Sequence, residues 1–359
     1  MQFLTQWFKR HLSDSGVVFL ALFLVIGFAV VITMGDMLMP VLASAVIAYL
    51  LDGGVGRMKS RGVPHIVAVS IVFCAFLLFV SIVIFGLAPT LSRQGTQLFQ
   101  QLPIMISKGQ LVLMQLPDRY PDVITAAQLE EVTGIISQRI AELGQAVVSI
   151  SLSSVVGVIT VLVYAVLMPM LVFFFMKDKR LIINWALGFM PQERKLATTV
   201  WKDVDLQVAN YVRGKFIEII LLWAVSFVAF TMFGLEYAML LGALVGLSVI
   251  IPYIGATVVT IPVLLIAWFQ WGWGSDFIGL TVTFFIIQAL DGNVLVPLLF
   301  SEVVNLHPVA IIVAILVFGG FWGFWGVFFA IPLATLVQAV ISAWPKPAEQ
   351  EQTTSDTQN

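Results

Sequence analysis

Asp291 is an ionisable group inside an apolar run, with Gln288 one helical turn before it and Asn293 two residues after. A carboxylate at the centre of a bilayer costs on the order of 3 kcal/mol on insertion scales, so such residues face a cavity or a partner rather than lipid. From Phe216 to Pro345 the chain runs 130 residues without one Lys or Arg. Inside that stretch, Asp291 can be answered by a bound cation, a proton, water, Gln288 or Asn293. The expected chemistry is a cation or proton site lined by these three residues. A plainer role, capping a helix at a bend near the interface, fits the same residues. Glu302 and His307 lie nearer a segment end, where interfacial positions are usual, and count as secondary members of the pathway. Glu218 and Glu236 fall near the ends of their predicted helix and read as solvated.

Two interrupted segments flank this group. The first carries Gly242-x-x-x-Gly246, then Ile251-Pro252-Tyr253-Ile254-Gly255, then Ile261-Pro262. The second carries Gly319-x-x-x-Gly323 and Gly326, then Ile331-Pro332. Pro297 lies between them. Paired broken helices are the best sequence pointer to a transporter site. A break frees backbone amides and carbonyls at membrane depth, and these are tolerated only where protein or a water-filled cavity satisfies them. Taken singly, each GxxxG reads as a close-packing device between helices. Pro252, Gly255 and Pro297 join the expected pathway. Gly242, Gly246, Gly319, Gly323, Pro262 and Pro332 are the expected break and packing positions.

The rest of the chain has the composition such segments need. Hydrophobic residues make up 60% and charged residues 11%, against roughly 25% charged in ordinary globular proteins. Mean hydropathy is +1.02. This profile predicts an all-α, polytopic helical membrane protein with broken or re-entrant helices. No basic patch with interleaved aromatics points to nucleic acid. A single cysteine, Cys74, excludes an intrachain disulfide and a multi-Cys metal site. The histidines at 11, 65 and 307 form no ligand motif, and no cofactor is expected. The motifs GxSxG, HExxH, Walker A and GxGxxG do not occur, so no enzyme of known type is indicated, and transport would be passive or driven by an ion gradient.

Residues 1–90 read as N-terminal membrane helices. The run Val17 to Met34 is too long for a signal-peptide core of roughly 7–15 residues, and the 37–51 stretch is expected to fold back on it as a tight hairpin. Residues 91–152 read as an extracytoplasmic insert of two amphipathic helices. Leu98, Leu102, Met105 and Ile106 mark the first, and a capping pair Thr125/Gln128 starts the second. Residues 153–176 form a membrane helix, 177–215 a cytoplasmic amphipathic segment, 216–344 a C-terminal membrane core, and 345–359 a disordered tail. Fourteen of the 18 Lys and Arg fall on one side if the helices alternate: Lys9, Arg10, Arg57, Lys59, Arg61, eight within 177–215, and Lys346. By the positive-inside rule that side is the cytoplasm, with both termini there.

The chain resembles the autoinducer-2 exporter family, the PerM-like permeases, over roughly residues 15–343. The resemblance rests on Tyr211-Val212-Arg213-Gly214-Lys215, Ile251-Pro252-Tyr253-Ile254-Gly255, Asp291-Gly292-Asn293 with Pro297, Leu306-His307-Pro308 and the Gly319–Pro332 segment. It implies an inner-membrane protein of seven or eight spanning helices that assembles as a homo-oligomer, a pentamer in the family's pattern. It also implies export of a small solute such as the quorum-sensing signal, or sodium–proton antiport. Two readings follow: a secondary permease with its site at the broken helices, and a cation–proton antiporter using Asp291. A third is a scaffold for envelope or division proteins that docks through 91–152.

Overall fold

A computed structural model describes residues 15–114, 134, 154–188, 195–252, 254–300 and 306–343. The described residues form helices and short turns. Helix α1 is Ser15–Lys59. Helix α2, His65–Ile82, passes through a π segment, Val83–Leu87, into α3, Ala88–Met114. Then come α4 (Ser154–Lys177), α5 (Lys179–Gly188), α6 (Lys195–Phe233), α7 (Ala238–Ser248) and α8 (Ile254–Trp271). Helix α9, Ser275–Leu290, runs through a second π segment, Asp291–Leu295, into α10, Val296–Phe300. Helix α11 is Pro308–Ala343. Six described segments are long and apolar enough to cross a bilayer, so this is an all-α, multi-pass membrane protein.

The expected N-terminal hairpin is not there. Residues 15–59 form one helix of 45 residues that runs straight through Pro40. The break anticipated near residue 36 has only Gly35 and Asp36 to make it, and neither ends an α-helix without a cap. Counting Lys9 and Arg10 on the same side as Arg57 therefore loses its basis. A second merger joins the expected cytoplasmic helix to the following span: α6 is continuous over 39 residues. A third runs from His65 to Met114, so no helix boundary falls at residue 91. Within it, Leu98 packs on the main core and Met105 is buried. The helix expected after Thr125 lies outside the described residues, as does the C-terminal tail.

Helix α6 is the axis around which the C-terminal half packs. Its last turn gives way at Gly234 (φ 72°), and Tyr237 (φ 58°) starts α7 in the opposite direction. Helix α7 lies so close to α6 that a Cβ on Gly246 would sit 2.7 Å from the Ile219 carbonyl oxygen, and one on Gly242 3.0 Å from the Phe227 nitrogen. This is the close-packing use of GxxxG. The chain then reverses over Val249–Pro252. Gly255 packs so tightly on the Ser248 carbonyl that a Cβ would overlap it. Helix α8 returns to the level of Gly234, where Gln270 Nε2 donates to the Gly234 carbonyl (2.8 Å) and Gln270 Oε1 accepts from the Glu236 amide (2.8 Å). Helices α7 and α8 are thus one hairpin whose two ends lie at the far end of α6.

Helix α11 is also a hairpin. Gly323 has φ 57° and ψ −132°, outside any helix. Gly326, eight residues after Phe318, lies against the Phe318 carbonyl, and Gly319 lies against Val327. Eight residues of straight helix would hold those groups about 12 Å apart. Each arm has roughly 15–20 residues, about 22–30 Å, at or below the thickness of a hydrocarbon core. The two arms meet along Ile311, Ala314, Ile315 and Phe318 on one side and Ala330 and Ile331 on the other, against Tyr211 and Val212 of α6. Pro262 and Pro332, expected at breaks, lie inside continuous helical arms. The reversals fall instead at Val249–Pro252 and at Gly323.

The α6–α7 contact makes a direct prediction. Gly246→Ala should lower the thermal midpoint of detergent-solubilised protein, by the 1–3 kcal/mol typical of overpacking. Gly95→Ala, in α3 with open space around its Cα, should leave it unchanged or raise it slightly. Equal midpoints for the two variants would contradict the packing described.

Candidate functional site

Lys215 and Glu218 are one turn apart on α6, and both are buried, with side chains 6% and 2% exposed. Lys215 Nζ stands 2.7 Å from Glu218 Oε2. The same ammonium donates to the Val249 carbonyl at the tip of the α7–α8 hairpin (2.9 Å) and lies over the Phe300 ring (5.2 Å to the centroid). One cation therefore ties three elements together. In the apolar stretch Gln207–Phe233, Glu218 is eleven residues from the start. That is roughly 16 Å, about half of a ~30 Å hydrocarbon core. Removing one partner of a buried pair leaves an uncompensated charge, which is far costlier than losing a surface bridge.

Asp291 joins this pair. It sits where α9 changes to π geometry, with the Val296 amide bonding to the Asp291 carbonyl five residues back. Single π turns inside α-helices widen the backbone and recur at functional sites. Asp291 is within electrostatic range of both Lys215 and Glu218. Its Oδ1 is buried with no hydrogen-bond partner among the described residues, and the same holds for Gln288 Nε2 one turn earlier. Two buried polar atoms without partners mark a place where a further polar group belongs. The formal charges are +1 on Lys215 and −1 each on Glu218 and Asp291, a net of −1 (His absent).

The other expected site residues divide. Pro252 lies in the tip that Lys215 holds through the Val249 carbonyl, and Gly255 closes that tip against Ser248. Asn293 is exposed, and its Nδ2 donates to Ala289 on its own helix (2.8 Å), away from the charged group. Pro297 is exposed. His307 is exposed, and its Nδ1 accepts from the Val309 amide (3.2 Å) at the start of α11. Glu302 lies outside the described residues. Glu236 is exposed, as expected. Glu218 is the correction. A helix starting near residue 216 would leave it solvated; the helix begins instead at Lys195, which puts Glu218 in its interior. Lys215 was passed over because it lies one residue outside the cation-free stretch. The Lys-x-x-Glu spacing is the signal that identifies both, since i and i+3 share a helix face.

The second hairpin reaches the same region. Phe328, five residues past Gly323, packs edge-on against Phe216 (6.2 Å), and Phe300 packs on Tyr211 (5.7 Å). The α7–α8 tip reaches this part of α6 from the Gly234 end. Helix α10 lies against α6 at Gly214, and the α11 hairpin packs on Val208, Tyr211 and Val212 of the same helix. A main-chain carbonyl freed by the first reversal thus meets the buried ion pair, and such groups persist at this depth only when satisfied by protein or water.

Comparison with known proteins agrees with this arrangement. The family described as AI-2E family transporter matches residues 2–346. Among relatives, PerM of Escherichia coli strain K12, designated a permease, is 45% identical over 345 residues, 96% of this chain and 98% of its own length. YueF and YrrI of Bacillus subtilis strain 168, both designated transport proteins, are 24% and 25% identical. They cover 86% and 84% of this chain, and 84% and 85% of their own lengths. Six apolar segments able to cross a bilayer, together with a family match across nearly all of the chain, lead to one conclusion: the chain belongs to the AI-2E transporter family and is a membrane transporter.

Proposed function

We propose that a small solute crosses the membrane at the Lys215–Glu218–Asp291 cluster, between the tips of the two hairpins. The observation that carries this reading is the pair of unpartnered buried atoms, Asp291 Oδ1 and Gln288 Nε2, beside a buried ion pair. They offer an acceptor and a donor to a polar solute at mid-depth. Lys215 holds the α7–α8 tip through the Val249 carbonyl, so a solute that competes for Lys215 loosens that tip, whose two ends lie toward Gly234. The solute class follows the family's name, a small polar signal of the autoinducer-2 kind. The basic end of the molecule, with Arg57, Lys59, Arg61 and Lys177–Arg180, is the cytoplasmic end by the positive-inside rule, and the membrane is the bacterial inner membrane. The exposed apolar faces of α2, α4 and α9 suit lipid or a second subunit, in keeping with a homo-oligomer, a pentamer in the family's pattern.

The net charge of −1 favours a second reading beside the first, that one proton or monovalent cation is exchanged at Asp291 during the cycle. In proteoliposomes, sodium-driven proton movement without any organic solute would separate it from solute export.

Asp291→Asn keeps the shape of the side chain and removes its charge. It should cut solute flux in proteoliposomes at least tenfold while the protein still elutes as a folded species. Flux equal to that of the unaltered protein would refute the pathway. Lys215→Met alone strands the Glu218 charge and should cost about 3–5 kcal/mol, seen as lost folded yield. Lys215→Met with Glu218→Leu should recover folding, because buried pairs are replaceable by apolar groups, and should still fail to transport.

A further inference from the structure

Beside the basic end of the molecule, away from the Lys215 cluster, helices α1, α4 and α5 enclose a cavity of about 230 Å³. Its walls include Ala45 and Ala48 of α1, Met176 of α4, and Ile182 and Ile183 of α5. Polarity rises along α1 toward its end. Ala45 and Ala48 give way to Tyr49 and Asp52, and Lys179 closes the polar end with Nζ 2.7 Å from Asp52 Oδ2 and 5.7 Å from the Tyr49 ring centroid. Tyr49 donates to Asp205 Oδ1 of α6 (2.7 Å), which fixes its ring. The pocket is thus an apolar slot with a charged rim, below the 300–1,000 Å³ of sites that engulf a whole drug-sized ligand. It suits part of an amphiphile.

Two observations identify that amphiphile. Helix α5 is apolar and exposed along its length, with Leu181 70% and Trp185 69% exposed, and follows the basic run Lys177–Arg180. A short helix with a basic end and outward Trp and Leu lies in the headgroup layer of a membrane, so the cavity beneath it opens at headgroup depth. The rim is also strongly cationic. Arg57, Lys59 and Arg61 end α1, and His65 Nε2 approaches the Lys177 carbonyl (3.2 Å), which brings that loop beside Lys177, Lys179 and Arg180. Against these six cations stand Asp52 and Asp178. A net charge of +4 at the interface attracts anionic headgroups.

We infer that this cavity is a binding site for an anionic phospholipid, with its upper acyl segment against Ala48 and Ile182 and its phosphate on the Arg57–Arg61 and Lys177–Arg180 rim. No residue of the site belongs to the proposed solute pathway.

The test is native mass spectrometry of protein released from nanodiscs containing equal phosphatidylglycerol and phosphatidylcholine. The unaltered protein should retain phosphatidylglycerol, at least tenfold enriched over phosphatidylcholine. Ala48→Phe, which fills the slot, should abolish that retention, and Ile182→Trp on the opposite wall should do the same, with folding checked by thermal midpoint. The triple change Arg57→Gln, Lys59→Gln, Arg61→Gln should leave lipid bound but erase the preference for phosphatidylglycerol. Undiminished phosphatidylglycerol retention in folded Ala48→Phe or Ile182→Trp overturns the inference. A lowered subunit count in those variants with unchanged lipid also overturns it, because a second copy would then be the occupant.

Discussion

A single ammonium group at mid-membrane depth organises the C-terminal half. Lys215 neutralises Glu218, satisfies the Val249 carbonyl at a helix reversal, and rests on Phe300. In water each of these contacts would be minor. At membrane depth a group left unpaired and dry would cost several kcal/mol. A reversal inside the membrane requires a donor for its free carbonyls, a buried cation requires an anion, and α6 supplies both with residues one turn apart.

The remaining architecture serves that arrangement. Small residues on α7 let it approach α6 to backbone contact, which brings the Val249 carbonyl within reach of Lys215. Buried Phe230, Leu241, Leu280 and Phe284 hold α6, α7 and α9 in register above the charged group. The π segment Asp291–Leu295 begins at the carboxylate that lies within electrostatic range of the pair. Helix α3 crosses the far end, with Gln94 Oε1 accepting from the Leu240 amide (2.8 Å) and Gly109 against Phe269. Close helix packing thus surrounds a short hairpin whose tip is held by the Lys215 side chain.

Much of this could be read from the residues. The cation-free stretch announces a membrane core, and Asp291 announces a partner within it. Pro252 with Gly255, and Gly319 with Gly323, announce reversals, because those residue pairs permit tight turns and close backbone approach. What composition could not give was long-range pairing. Lys215 falls one position outside the stretch that drew attention, and its role depends on α7 folding back over 34 residues to present Val249. The N-terminal hairpin failed for a local reason: the apolar runs on either side of residue 36 are joined by nothing that ends a helix, and Pro40 within the long helix is tolerated when neighbours absorb the lost hydrogen bond. Pro262 and Pro332 are tolerated in the same way.

The central claim is that water or solute reaches the Lys215–Glu218–Asp291 cluster. Cysteine accessibility tests it most directly. In a Cys74→Ala background, Gln288→Cys in sealed proteoliposomes should react with a small charged methanethiosulfonate reagent, more slowly than a Trp273→Cys control, whose side chain is 82% exposed. Complete protection of Cys at 288 from both sides, with the control fully labelled, would mean that the cluster is a closed structural clamp and not a route across the membrane.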